Sequence, residues 1–264
     1  MVTGLEVFRA WFADYPHHYT LIGGTAATLA MEEAGLDFRA TKDLDIVLHR
    51  DALTPAFGET LWKFIEAGGY EIRQAGGTGK PTYYRFQKPT DSRFPVMVEL
   101  FSRAPDLLRP AQNGPLTPIP FDAAVSSLSA ILLDDAYYAF TLAGRREIDG
   151  LYTVGEDRLI PLKAIAWLDL SARRERGEHV DTRSSRKHAN DVLRLSQLLA
   201  PATRIHLDAR LADDMRKFLD AASADDSLDP KALGLGRMSL ADVLERIARA
   251  YGLDDGQGAL GRPS

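Results

Sequence analysis

Tyr19-Thr20-Leu21-Ile22-Gly23-Gly24-Thr25-Ala26-Ala27 is followed by Thr41-Lys42-Asp43-Leu44-Asp45-Ile46-Val47-Leu48 and by Pro95-Val96-Met97-Val98-Glu99-Leu100-Phe101. The first segment is a short apolar run that stops at a glycine pair and resumes as an alanine-rich stretch. It reads as strand, turn and helix. In the second, acids alternate with apolar residues. The two-residue period of a strand puts Asp43 and Asp45 on one face with Leu44 opposite. The third buries a single acid, Glu99, among apolar neighbours. A carboxylate in such surroundings is costly unless something pairs with it. Two carboxylates on one strand face and a third from a neighbouring strand make a hard-oxygen site for a divalent ion. A Gly-Gly turn in front of a helix offers backbone N–H groups to phosphate. Together these features point to nucleotide chemistry.

The rest of the chain arranges itself around these segments. Leu5, Phe8, Trp11 and Phe12 have helical spacing and predict an opening helix over 5–15. Thr25 to Ala34 reads as a helix closed by Gly35, and Pro55 to Ala67 as another closed by a glycine pair. Tyr70–Arg73, Tyr83–Phe86 and Val96–Phe101 are further strands, with Gly76–Pro81 as a turn between the first two. Five prolines between Arg103 and Phe121 predict a linker or covering loop. Beyond it, Ala124–Leu133 is a strand candidate. Asp135–Leu142, Ile160–Ala172, Ser185–Leu199, Ala209–Ala222 and Ser239–Tyr251 are predicted helices, and the last dozen residues a loose tail. The expected class is α/β: a small mixed β-sheet core with helices over residues 1–120, then a mainly helical domain over 121–264.

At 264 residues, 45% hydrophobic and 26% charged, the chain has the composition of an ordinary soluble protein. Its net charge of −5 argues against a dedicated nucleic-acid coat without excluding a local basic patch. With no cysteine, thiolate metal sites, disulfides and a cysteine nucleophile are excluded. No apolar run reaches the roughly 18 residues of a membrane span. The N-terminal residues lack the pattern of a signal peptide, so a cytoplasmic location is expected.

Each candidate has a plainer reading. Asp43 can cap a turn, Asp45 can pair with Lys42 or Arg39, and Glu99 with Arg103 or Lys80. Gly23-Gly24 can serve only a turn that needs positive φ. Gly79-Lys80 is no P-loop, because Gln74 stands where the first glycine belongs and Pro81 follows the lysine. His17-His18 point apart on a turn or strand and read as surface residues. Ser184 or Ser185 suits an N-cap for a helix carrying Lys187 and Asp191, which share a face four residues apart. That spacing also fits an ordinary surface Lys–Asp pair, and Lys163 fits a lysine whose stem lies along an amphipathic helix.

Gly23-Gly24-Thr25, the following helix, Arg39 to Asp45 and Val98-Glu99-Leu100 resemble the nucleotidyltransferase (polymerase-β-like) superfamily. Leu159-Ile160-Pro161-Leu162-Lys163 and Lys187-His188-Ala189-Asn190-Asp191-Val192 extend the likeness to the abortive-infection AbiEii-like toxins, over most of residues 15–200. The resemblance implies that Gly23, Gly24 and Thr25 hold a triphosphate and that Asp43 and Asp45 bind magnesium. It implies that Glu99 completes the metal site and helps deprotonate the acceptor. Lys163, with Lys187, would reach nucleotide phosphates, and Asp191 would orient Lys163 or a base. Eighteen residues separate Gly24 from Asp43, a longer interval than is usual in the superfamily. This reshapes the expected nucleotide pocket and leaves the metal acids in place.

The expected reaction moves NMP from an NTP to an acceptor hydroxyl, with a tRNA 3′ end favoured over a protein or an antibiotic. An antitoxin that neutralises the chain belongs to the same expectation, and no membrane does. A non-catalytic nucleotide- or partner-binding module on the same fold is the alternative. Between Arg173 and Arg194 seven Lys or Arg stand against four acids, a local balance of +3. That stretch is either a solvated loop or a docking patch for RNA phosphates.

Overall fold

The computed structural model describes residues 2–49, 52–72, 83–102, 131–132 and 134–254. The expected turn at Gly76–Pro81 with Lys80, the proline-rich stretch 103–121, nearly all of the strand candidate 124–133 and the tail from 255 lie outside them. By internal contacts the chain forms two units, residues 1–133 with 141–155, and 134–140 with 156–264. The protein is α/β, with a mixed sheet in the first unit.

In the first unit, α1 (Leu5–Trp11) precedes β1 (Tyr19–Ile22), α2 (Gly23–Glu33), β2 (Asp43–Leu48), α3 (Pro55–Gly68), β3 (Glu71–Ile72), β4 (Tyr83–Gln87) and β5 (Met97–Ser102). After α4 (Asp135–Ala143), which ends in this unit, come β6 (Arg145–Ile148) and β7 (Leu151–Val154). The sheet order is β3-β4-β5-β2-β1-β7-β6. β1 runs antiparallel to β2, and β2 runs parallel to β5.

The β6–β7 hairpin was not expected from the sequence. It extends the sheet, with β7 parallel to β1, so residues 145–154 do not belong with the helical half. Its strands have four residues each, too short for a period to stand out, and the turn is carried by Asp149 and Gly150, both at positive φ.

One face of the sheet carries Tyr19, Leu21, Leu44, Ile46, Leu48, Val98 and Leu100, all buried in one cluster with residues of α1 and α3. Aromatic rings fill that layer. Phe8 lies 5.1 Å edge-on from Tyr19, and Phe12 lies 5.4 Å from Phe64. Thr54 caps α3 by accepting a hydrogen bond from the Phe57 N–H, with Pro55 opening the helix and Gly69 at φ 61° closing it.

The second unit is helical over its described residues. It contains α5 (Glu156–Glu175), α6 (Thr182–Leu195), a short 3₁₀ turn at Ser196–Leu198, α7 (Ala209–Ser223) and α8 (Leu240–Ala250). Two starts differ from expectation. α6 begins earlier, and its N-cap is Asp181, which accepts from the Arg183 N–H, rather than Ser184 or Ser185. Ser185 is buried inside the helix.

α5 begins four residues before Ile160 and carries Pro161 in its interior. A proline there removes the N–H that the Asp157 carbonyl would accept. The Tyr251 hydroxyl replaces it, donating to Asp157 O at 2.9 Å from just beyond α8. Tyr251 is buried, which raises its phenol well above the ordinary range and keeps it a proton donor.

Candidate functional site

Gly23 and Gly24 are the first two residues of α2 rather than a turn before it. Gly23 has φ +67°, and a Cβ built there would lie 1.9 Å from Asp45 Oδ2. The Asp45 carboxylate therefore sits directly against the Gly23 backbone, an approach only glycine allows. A Cβ on Gly24 would meet Thr41 Oγ1 at 2.6 Å, so the chain leading into β2 presses on the same turn. Thr25 ties the two elements together by donating its hydroxyl to Asp43 O at 2.8 Å. Thr28 donates to Gly24 O at 3.0 Å, within the helix. α2 is buried over its first nine residues, Gly23 to Met31.

The acids share one sheet face. In β2, Leu44 and Ile46 are buried on the core side, while Asp43 and Asp45 are half-buried on the other. β5 lies parallel with Asp45 opposite Glu99 and Asp43 opposite Met97. β4 continues the row with Arg85 opposite Glu99, and β1 begins it with Ile22 opposite Asp45. Residues directly opposite one another project to the same face. Ile22, Asp45, Glu99 and Arg85 thus form one row across four strands.

Glu99 is 7% exposed and pairs with Arg85, while Lys80 and Arg103, the partners expected from the sequence, lie outside the described residues. Arg85 Nε donates to Glu99 Oε1 at 2.5 Å, and a terminal guanidinium nitrogen bonds the same oxygen. A planar guanidinium neutralises a low-dielectric carboxylate well.

The fit to magnesium can be judged from this donor set. Asp43 and Asp45 supply two hard carboxylates from one strand face beside a helix N-terminus. Magnesium is commonly held by one or two carboxylates together with substrate phosphates and water. The expected three-acid group is not assembled: among the described residues, no three His, Cys, Asp or Glu side chains are placed to hold a metal ion. Glu99 is engaged by Arg85 instead.

In the second unit, Lys163 on α5 and Asp191 on α6 form a buried ion pair, Nζ to Oδ2 2.8 Å, at 1% and 0% side-chain exposure. The surface pairing of Lys187 with Asp191 does not occur. Asp191 turns into the bundle beside Ala189, Val192 and Leu193, all fully buried, while Lys187 stays half-buried on the flank of α6. Lys163 is no snorkelling lysine, because its head is buried with its stem. The two acid sets lie in different units.

His17 is exposed, with its ring 5.7 Å from Tyr152, and His18 stacks on Phe57 at 5.0 Å. A third histidine, His49 just after β2, shares a 2.7 Å hydrogen bond with Thr20 Oγ1. Burial, then the Arg145 charge, lowers its pKa to about 4.

Sequence reasoning missed Arg85. The alternation of Tyr83-Tyr84-Arg85-Phe86 carried a signal, since an arginine amid aromatic strand residues needs a counter-charge. It could not say which acid provides it.

Fold and site define a mixed α/β protein with an acid-bearing sheet face beside a glycine-opened helix. No helix of the described residues is long and apolar enough to cross a membrane. Compared with known protein families and with curated proteins, the chain matches no family and shows no significant curated relative.

Proposed function

We propose that the chain is a metal-dependent nucleotidyltransferase of the polymerase-β-like kind, moving NMP from an NTP to an acceptor hydroxyl. The observation carrying this reading is the in-register placement of Asp45 and Glu99, with the Asp45 carboxylate against Gly23 at the start of α2. Asp43 and Asp45 would hold magnesium, which when bound neutralises triphosphate charge. The N–H groups opening α2 would bind phosphate oxygens. The acceptor oxygen attacks the α-phosphorus, the bond to the bridging oxygen breaks, and pyrophosphate leaves with the electron pair. We assign the acceptor proton to Glu99 Oε2, since Arg85 engages Oε1. Positioning and charge neutralisation suffice for phosphoryl chemistry of this type.

Lys163, whose ammonium is buried against Asp191 inside the second unit, serves that unit's packing in this reading, and neither it nor Lys187 is assigned a contact with the nucleotide. The preferred acceptor is an RNA 3′ end, with a toxin role checked by a neutralising antitoxin, in the cytoplasm.

Incubation of the full chain with each α-labelled NTP, magnesium, and RNA, protein or aminoglycoside fractions tests the reading. Label should pass to one fraction with release of pyrophosphate. Asp45→Asn should abolish transfer and leave the fold intact. Transfer retained in that variant refutes the mechanism.

A second reading, a nucleotide-binding module without transfer, is favoured by one observation: Glu99 and Asp191 are each already neutralised by a cation. Nucleotide binding without label transfer would select it.

A further inference from the structure

The seven cations between Arg173 and Arg194 are not equivalent. Arg173 and Arg176 both bond Glu178, at 2.8 and 2.9 Å, and Arg174 is, among the described residues, an isolated exposed cation near the end of α5. Arg183, Arg186, Lys187 and Arg194 lie on α6 at positions i, i+3, i+4 and i+11, with Asn190 at i+7. Those spacings form one stripe about 16 Å long, at 1.5 Å per residue. Arg183 and Arg186 are exposed, while Lys187 and Arg194 are half-buried. Among the described residues none of the four has an ion-pair partner.

Several other helical cations of the chain are paired instead. Arg9 pairs with Glu6, Lys217 with Asp213, and Arg249 with Glu245, each three or four residues away. On α6 the corresponding neighbours are themselves cations. Arg183 meets Arg186 and Lys187 at i+3 and i+4, an arrangement that destabilises a helix. A chain of net charge −5 has acids to spare, yet none stands in this stripe.

We propose that this stripe of α6 is a docking surface for the phosphate backbone of a nucleic acid. Three of the four groups are arginines, whose planar fork binds phosphate oxygens bidentately. The opposite face of α6, with Ala189, Val192, Leu193 and Leu195, is fully buried, so the helix has no apolar face to insert into lipid. No aromatic residue lies in the stripe to stack on a base, so contact is with the backbone and is insensitive to sequence. The inference rests on α6 alone and stands apart from nucleotidyl transfer.

The test is fluorescence anisotropy on the full chain, without nucleotide or metal ion. The probes are an RNA duplex and a DNA duplex of the same sequence, with polyglutamate as competitor, across a salt series starting at about 50 mM. With four phosphates neutralised, log K against log salt should fall with a slope of about −3 to −4 on DNA. The tighter of the two duplexes identifies the natural source, and binding to either supports the proposal. The R183A/R186A/K187A/R194A variant should lose binding by about 100-fold or more and flatten the slope. Its melting temperature should not fall, because the groups removed repel one another. Arg186→Glu, a single exposed change, repeats the test with minimal disturbance to folding. K217A and R249A, which remove already paired cations, should bind as the parent does. The proposal is overturned if the parent does not bind at the lowest salt, if polyglutamate competes as well as nucleic acid of equal charge, or if the variants keep the parent slope.

Discussion

Gly23→Ala probes the junction on which the site depends, because two separate strains meet at that residue. The first is conformational: φ is +67°, and an L-residue there costs about 1–2 kcal/mol. The second is steric. The new Cβ would stand 1.9 Å from Asp45 Oδ2 and 2.7 Å from its Cγ, so the carboxylate must swing away. Forcing an extra methyl into a packed position costs typically about 1–3 kcal/mol. The sum is about 2–5 kcal/mol, a large share of the roughly 5–15 kcal/mol that stabilises a typical protein. Urea unfolding of the first unit, followed by its aromatic residues, measures it.

A double variant separates the two contributions. In Asp45→Ala, the Oδ2 and Cγ contacts vanish and only the Cβ contact at 3.0 Å remains. G23A in that background should therefore cost only the conformational part, about 1–2 kcal/mol. The coupling between the two sites should be about 2 kcal/mol. If Gly23→Ala costs under about 1 kcal/mol, or costs the same with and without Asp45, the carboxylate does not rest against the turn. G23A should also lose nucleotidyl transfer, since Asp45 would no longer face the helix N-terminus.

Lys163→Met should cost about 3–5 kcal/mol by stranding the buried Asp191 carboxylate, and K163M/D191N should recover most of that in urea titrations. Equal loss in the single and double variants would refute the pairing. Tyr251→Phe should cost about 1–3 kcal/mol by orphaning the Asp157 carbonyl, and less in a Pro161→Ala background, where the helix regains an N–H for that carbonyl. His49 resists protonation in the folded chain, with a pKa near 4 against an ordinary 6.5. Its unfolded form takes up a proton first, so its contribution to stability is full above pH 6.5 and is lost as pH falls toward 4. The parent's urea midpoint should thus drop more steeply than that of His49→Gln across this window, and parallel curves would exclude the assignment.

Local chemistry made much of the first unit legible. The strand at Tyr19–Ile22 and the alternation in Asp43–Leu48 follow from a two-residue period that sorts side chains by face, so Asp43 and Asp45 had to lie together opposite Leu44. Helices with strong apolar spacing, such as α3, α7 and α8, were likewise visible. Periodicity failed where segments were short or where tertiary contacts overrode propensity. The four-residue strands β6 and β7 carry too few residues for a pattern. α5 runs through Pro161 because the Tyr251 hydroxyl, 90 residues away in sequence, meets the carbonyl that the proline leaves unbonded.

Partners were the other thing sequence could not choose. Spacing of four made Lys187 as good a neighbour for Asp191 as any, yet packing of α6 on α5 turned Asp191 inward onto Lys163. Glu99 plainly required a cation, and several were near in sequence. Only the β4–β5 register put Arg85 opposite it, because register sets which side chains share a row and no stretch of sequence contains that information alone. Charge content along the chain was likewise readable as a sum, +3 between Arg173 and Arg194. Which cations are neutralised by Glu178 and which stand free on α6 depended on the bend that returns the chain after α5. Composition and period determine what each residue needs, while the tertiary structure decides which neighbour meets the need.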